Sequence, residues 1–145
     1  MARMPVEQGK IREYALATAN GRPEYLDDPR APIPPTFLST VVFWDDPAQA
    51  LRAPEAAAAL AALGIEPDVR RLLSAEQEYV FHGPLPRAGD TLETSVRFDR
   101  AVRKEGRRGP LLFIHFTIEF RDQAGALVAE CHYTSAYVAE PGATA

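Results

Sequence analysis

From Thr91 towards the C-terminus the chain alternates apolar and polar residues with a period of two. TLETSVRFD sets Leu92, Thr94, Val96 and Phe98 on one side and Glu93, Ser95, Arg97 and Asp99 on the other. LLFIHFTIEFR groups Leu112, Ile114, Phe116, Ile118 and Phe120, and ALVAECHYTSAYVA groups Leu127, Ala129, Cys131, Tyr133 and Tyr137. EQEYVFH, residues 76–82, alternates as well. Successive strand side chains point to opposite faces, so these runs predict at least four half-buried antiparallel strands. Residues 121–125, with Gly125 able to take a positive φ, supply one hairpin turn, and the charged stretch 104–110 supplies a longer one.

The first half keeps a different period. Ile11, Tyr14, Ala15 and Thr18 recur at helical spacing within residues 6–19, and Asn20-Gly21 reads as a helix stop. Residues 54–63, PEAAAALAAL, predict a short helix, because alanine is the strongest helix former, Pro54 fits a first turn and Gly64 fits the end. A further short turn is expected over residues 66–73. The segment from Gly21 to Pro35 holds five prolines and reads as irregular. The stretch PPTFLSTVVFWDDP supports two readings. Its β-branched and aromatic residues suit a strand, while Pro34-Pro35 before Thr36 suits a helix start. A helix here is apolar nearly all round and is expected to be buried. The order of elements is α+β. A strongly curved sheet needs an apolar filler on its concave face, which favours a helix over residues 35–44.

Composition narrows the classes. A chain of 145 residues fits a single domain, taken as 1–145 with a core of about 6–138. An apolar fraction of 46% and a charged fraction of 25% are ordinary for a globular protein. A net charge of −4 without a basic block argues against nucleic acid as a partner. Arg100, Arg103, Lys104, Arg107 and Arg108 form a local basic cluster, read as a solvated hairpin end. The lone Cys131 allows no intrachain disulfide and fits a reducing compartment. The N-terminus MARMPVEQGK lacks the apolar stretch of a signal peptide, and every apolar run is shorter than the ~18–20 residues of a membrane-spanning helix. The expectation is a cytoplasmic protein without a membrane segment, whose C-terminal PGATA is frayed.

Among chemical candidates, the bland readings dominate. His82 is read as fixing a strand-end turn, and His115 and His132 as facing solvent or a partner. Three scattered histidines without nearby carboxylates do not make a metal site, so no metal is expected. Cys131 lies on an apolar strand face and reads as a buried small hydrophobe. Asp27, Asp28, Asp45 and Asp46 read as loop acids, and Gly89-Asp90 as a tight turn. No serine sits in a Gly-x-Ser-x-Gly context, so a serine hydrolase has no support.

Three stretches carry a family resemblance. They are Glu76-Gln-Glu-Tyr-Val-Phe-His-Gly-Pro-Leu-Pro-Arg-Ala-Gly-Asp90, Lys10-Ile-Arg-Glu-Tyr-Ala15 and Ile33-Pro-Pro-Thr-Phe-Leu38. In order and spacing they resemble the MaoC-like dehydratases, in the N-terminal, FAS1-like dehydratase branch. That branch includes the non-catalytic subunits of mycobacterial-type (3R)-hydroxyacyl-ACP dehydratases. The resemblance implies a hotdog fold, in which an antiparallel sheet wraps around a central helix, here over 35–44. It also implies a first strand before residue 6 that is short, missing or supplied otherwise. The catalytic branch carries Gly-Asp-x-Asn-Pro-x-His, whose Asp and His are the working pair. Aligned on Pro23, that pattern puts Asn20 at the Asp position and Tyr25 at the His position. Asn20 cannot ionise, and a phenol with a pKa near 10 is a poor base at neutral pH. The 17–29 segment is therefore placed like a catalytic loop without its acid and base.

Dehydrating a 3-hydroxyacyl thioester needs a base for the C2 proton and an acid for the departing hydroxyl, each contributing ~10²–10⁴-fold. The reading that follows is an acyl-binding, non-catalytic subunit of a (3R)-hydroxyacyl-thioester dehydratase or enoyl hydratase. Its expected ligand is an acyl thioester on CoA or acyl carrier protein. No cofactor is expected. The expected assembly is a homodimer, or a heterodimer with a catalytic MaoC-like chain that brings Asp and His. Expected substrate contacts are Pro35, Thr36, Phe37, Leu38, Val41 and Trp44, with backbone N–H groups at the start of the 35–44 helix offered to the thioester oxygen. A non-enzymatic homodimer that binds acyl or other apolar ligands is the alternative. A hotdog thioesterase ranks below both, since no carboxylate lies between Pro35 and Trp44.

Overall fold

The computed structural model describes residues 2–107 and 109–138. Arg108 and the C-terminal PGATA lie outside them. The element order is β1 (Ala2–Pro5), α1 (Gln8–Ala17), α2 (Pro23–Leu26), 3-10 segments Phe37–Phe43 and Pro47–Arg52, α3 (Pro54–Ala62), a 3-10 turn Val69–Arg71, then β2 (Leu73–Phe81), β3 (Thr91–Gly106), β4 (Gly109–Arg121) and β5 (Leu127–Val138). The five strands form one antiparallel sheet in the order β1-β3-β4-β5-β2, and the architecture is α+β.

The four strands expected from period-two alternation are present, together with the short first strand. β1 pairs antiparallel with β3, Ala2 opposite Thr94 and Pro5 opposite Thr91. It sits at one edge of the sheet, where Pro5 sacrifices no interior ladder bond. The opposite edge is β2, whose residues 73–78 are all exposed.

The chain divides into two compact units. The first comprises Met1–Asp46, Tyr79–Ser95 and Glu119–Glu130; the second comprises Pro47–Glu78, Val96–Ile118 and Cys131–Ala145. The first unit buries Met4, Ile11, Ile33, Phe37, Leu38, Leu92 and Phe120. The second buries Leu112, Ile114, Ile118 and Cys131, as the apolar sides of β4 and β5 foretell.

The 35–44 segment is helical from Phe37 to Phe43, wound as a tight 3-10 turn series rather than an α-helix. The expectation that it would be apolar and therefore buried all round does not hold. Phe37, Leu38 and Val41 are buried, but Val42, Phe43 and Trp44 are 57%, 80% and 42% exposed. Three residues per turn sends every third side chain to the same side, so a run whose apolar residues fall on every side cannot bury them all. The proline-rich approach to this segment is tied down locally. Ile33 N–H donates to Pro86 O, Ala88 N–H donates to Ala31 O, and Pro32 bridges Arg87.

Candidate functional site

The loop that raises the functional question begins at the end of α1. Thr18 is the C-cap, and Ala19 takes a left-handed φ of 55°. Asn20 N–H donates to Ala15 O and Ala19 N–H to Leu16 O, which completes a Schellman termination. The stop therefore falls at Ala19, an alanine in a position that favours glycine, and not at Gly21. Pro23 starts α2, and Tyr25 within it is buried. Gln8 Nε2 and Arg12 Nη1 of α1 both donate to Leu26 O at 3.2 Å, capping the last turn of α2. Asn20 is half-buried, and no hydrogen bond joins it to Tyr25 among the described residues. Asp28 Oδ1 accepts from Arg30 N–H at 2.8 Å, and Asp27 is exposed at the end of α2. Asp28 thus makes a turn.

Beside this loop, within the first unit, lies a cleft of about 520 Å³. Tyr14, Ala17, Phe37, Phe43, Trp44 and Pro5 give it an apolar lining, with Lys10 and Glu13 also on the wall and paired at 3.0 Å. Tyr14 fixes one wall. Its hydroxyl lies 2.8 Å from Thr36 Oγ1 and donates to or accepts from it, with Thr36 O 3.0 Å away. Its ring meets Phe37 edge-on, at 5.6 Å between centroids and 77° between planes. Of the six expected substrate contacts, Phe37 and Trp44 line this cleft. Leu38 and Val41 belong to the core, Thr36 is engaged by Tyr14, and Pro35 is exposed off the cleft. Phe43 and Tyr14 are linings that the sequence reading missed; both sit at helical spacing beside residues it named. The backbone N–H of Phe37 donates to Pro34 O, so the segment start does not hold that group free for a thioester oxygen.

Asp45 is a second residue the sequence undervalued. It follows the 3-10 segment directly, and its Oδ2 accepts from the hydroxyl of fully buried Thr94 at 2.8 Å. Its Oδ1 accepts from Asp46 N–H at 2.9 Å. The signal was Thr94, a hydroxyl in an otherwise apolar row that had to find a partner.

The histidines occupy other places. His82 Nε2 meets Glu130 at 2.7 Å and His82 N–H donates to Val128 O, which ties the end of β2 to β5. In the second unit a polar pocket of about 300 Å³ gathers Glu76, Glu78, Asp99, Arg100, His115 and His132. A carboxylate only accepts, so Thr117 donates its one hydroxyl proton to Asp99 at 2.7 Å. Thr117 Oγ1 then accepts from His132 Nδ1 at 3.2 Å, which leaves the Nε2 of neutral His132 as the acceptor. His115 Nδ1 bonds Thr134 Oγ1 at 3.0 Å. Burial, and then the Arg100 cation, hold the His115 pKa below the ordinary histidine value. The expectation that His115 and His132 share the polar strand face holds, but they are braced by threonines rather than idle in solvent. Among the described residues no group of three or more His, Cys, Asp or Glu could hold a metal ion. The basic hairpin cluster is partly engaged as well: Arg103 pairs with Glu105 at 2.9 Å and donates to Leu63 O, and Lys104 lies 5.3 Å over the Phe113 ring. Among the described residues no helix is long and apolar enough to cross a membrane.

Comparison with known proteins places this geometry. Among solved structures, the chain is similar to a MaoC-like dehydratase, with a TM-score of 0.68 and 26% identity, covering 94% of this chain and 39% of that one. It is similar to a chain of the ChsH1-ChsH2 complex from Mycobacterium tuberculosis, with a TM-score of 0.66 and 20% identity over 99% of this chain and 88% of that one. It is also similar to the C-terminally truncated HadBC (3R-hydroxyacyl-ACP dehydratase) complex from Mycobacterium tuberculosis, with a TM-score of 0.61 and 20% identity over 92% and 89% of the two chains. These likenesses identify the α+β sheet as a hotdog fold. No curated protein matches the sequence. The family model for the FAS1-like, dehydratase domain region matches residues 1–131, nearly the whole described chain, and the chain therefore belongs to that family.

Proposed function

We propose that this chain is the acyl-binding, non-catalytic subunit of a (3R)-hydroxyacyl-thioester dehydratase or enoyl hydratase, acting as one hotdog domain over 1–145. The observation that carries the reading is the pair Asn20 and Tyr25. They stand where the catalytic branch keeps its Asp and His, in a loop that ends beside an apolar cleft. The amide cannot shuttle a proton at any ordinary pH, and the phenol is buried within α2. A partner chain of the catalytic MaoC-like type supplies the acid and base. The cleft lined by Tyr14, Phe37, Phe43 and Trp44 takes the acyl tail of a CoA or acyl-carrier thioester.

Three features support a partner. Val42, Phe43 and Trp44 are exposed, and Phe43 and Trp44 also line the cleft, a patch of the kind that marks an interaction site. Similar chains are found in complexes, namely HadBC and ChsH1-ChsH2. β2, which ends the sheet order of the described residues, offers a second place for a strand to add. The single cysteine is consistent with a cytoplasmic setting.

The test is crotonyl-CoA hydration by the purified chain, alone and mixed with a chain that carries Gly-Asp-x-Asn-Pro-x-His. Activity that appears only in the mixture supports the proposal. Robust turnover by the chain alone, unaffected by Asn20→Ala or Tyr25→Phe, refutes it and directs attention to Asp45 or His132. The apolar lining also suits a second reading, a non-enzymatic homodimer that stores an apolar ligand. Native mass spectrometry separates the two, because a homodimer carrying lipid and indifferent to the catalytic chain favours the second.

A further inference from the structure

The second unit contains a cleft of about 720 Å³ that the function proposed above leaves unused. It runs beside α3, between Leu51 and Arg52 at one end and Ile65, Glu66 and Val69 at the other. α3 carries a single polar side chain, Glu55. Its outer residues Ala57, Ala58, Ala61 and Ala62 are exposed, and Val69 across the cleft is 49% exposed. A helix apolar all round is ordinarily covered, yet within the chain this one is covered on the Ala56 and Leu60 side alone.

Charge says what fits there. Arg52 immediately precedes α3 and Glu66 lies beyond its end; both are exposed on the cleft. Neither has a hydrogen bond or ion pair among the described residues. The nine residues of α3, about 13 Å of helix, separate the two in sequence, so one charge flanks its start and the other follows its end. An apolar strip with an unmatched cation at one end and an unmatched anion at the other is self-complementary about a two-fold axis. Turned by 180°, a second strip brings its anion to the cation of the first and its cation to the anion. A ligand with only a carboxylate leaves Glu66 opposed, and one with only an ammonium leaves Arg52 opposed. A second copy satisfies both.

We propose that the exposed face of α3 is a homotypic interface, in which α3 of a second copy lies antiparallel in the cleft with Arg52 against Glu66 of that copy and the reverse. Alanines at the contact let the two helix axes approach closely, and the opposed helix dipoles add to the fit. One short helix offers much less than the ~800 Å² per partner of a standard interface, so the association is weak and concentration-dependent. The proposal stands whether or not the dehydratase reading does.

Sedimentation velocity over a wide protein concentration range tests it, with the full chain, Arg52→Glu, Glu66→Arg and the double variant. Both substituted positions are exposed, and far-UV circular dichroism checks that the fold is kept. The full chain should double in mass reversibly as concentration rises, from monomer to dimer or, where another face already pairs it, from dimer to tetramer. Each single variant turns two attractive pairs per dimer into two repulsive ones, so its dimer Kd should rise by about tenfold or more. The double variant restores complementarity and should recover the original Kd. A mass that stays fixed at every concentration overturns the proposal. So does a dimer indifferent to the single variants, or a double variant no better than either single. A monomer that copurifies with an amphiphile assigns the cleft to a ligand and equally overturns it.

Discussion

Exchanging alanine for glycine at two positions of one helix terminus should produce opposite effects on stability. Ala19 holds φ at 55° in the left-handed region, where a Cβ crowds the neighbouring carbonyl and costs an L-residue about 1–2 kcal/mol. Ala19→Gly removes that strain but adds freedom to the unfolded chain, which costs about 0.5–1 kcal/mol. The net is a gain of about 0.5–1 kcal/mol. The Schellman bonds from Ala19 N–H to Leu16 O and Asn20 N–H to Ala15 O are backbone bonds and survive the change. Two residues earlier, Ala17 is exposed, ends α1 with helical geometry, and has no strain to relieve. Ala17→Gly therefore pays the helical glycine penalty of about 0.5–1 kcal/mol. Thermal and urea denaturation should show Ala19→Gly melting roughly 2–4 °C above the parent and Ala17→Gly below it by a similar amount. A neutral or destabilised Ala19→Gly refutes the strain argument, and with it the placement of the helix stop at Ala19.

Three further predictions rest on other contacts. Gly89 has φ at +93°, and a Cβ there would lie 2.7 Å from Arg30 Nη1, which donates to Ala88 O; Gly89→Ala should cost about 2–3 kcal/mol in urea titration. Thr94→Val keeps the volume of a fully buried residue but leaves the Asp45 carboxylate without its hydroxyl donor, for a loss of about 1–3 kcal/mol; adding Asp45→Asn should cost much less than the sum of the singles in a double-mutant cycle. His115 has a folded pKa below the unfolded value of about 6.5, so as pH falls the unfolded chain takes up a proton first. Its contribution is intact above about pH 6.5 and is lost between there and the folded pKa; the pH-dependence of stability measured by chemical denaturation should flatten in that window in His115→Gln.

Much of the sheet was legible because its signal is local. Period-two alternation places Leu112, Ile114, Phe116, Ile118 and Phe120 on one side whatever the rest of the chain does, and all five are buried. The same holds for α3, whose limits follow from Pro54, alanine and Gly64. The 35–44 segment was less legible. Whether it winds as an α-helix or a 3-10 helix, and which of Val41, Val42 and Phe43 turns inward, depends on tertiary neighbours such as Tyr14, which bonds Thr36 from 22 residues away. The engaged side chains were hidden for the same reason. Nothing near Asp45 announces Thr94, and nothing near Asp99 announces Thr117 and His132. The placement of Asn20 and Tyr25 rests on a fixed spacing from Pro23, while the left-handed Ala19 breaks the usual preference for glycine and so left no mark.

The Arg30 region has a consequence for how this loop can change. Arg30 reaches Ala88 O and Asp90, while Arg87 reaches back to Arg30 O. This reciprocal clasp staples one boundary of the 20–29 excursion to the distant β2–β3 connection, as the Schellman bonds moor the other boundary to α1. An excursion moored at both margins tolerates wholesale exchange of the side chains between them. Proton-transferring groups can be gained or forfeited there over evolutionary time while the scaffold beneath stays unaltered.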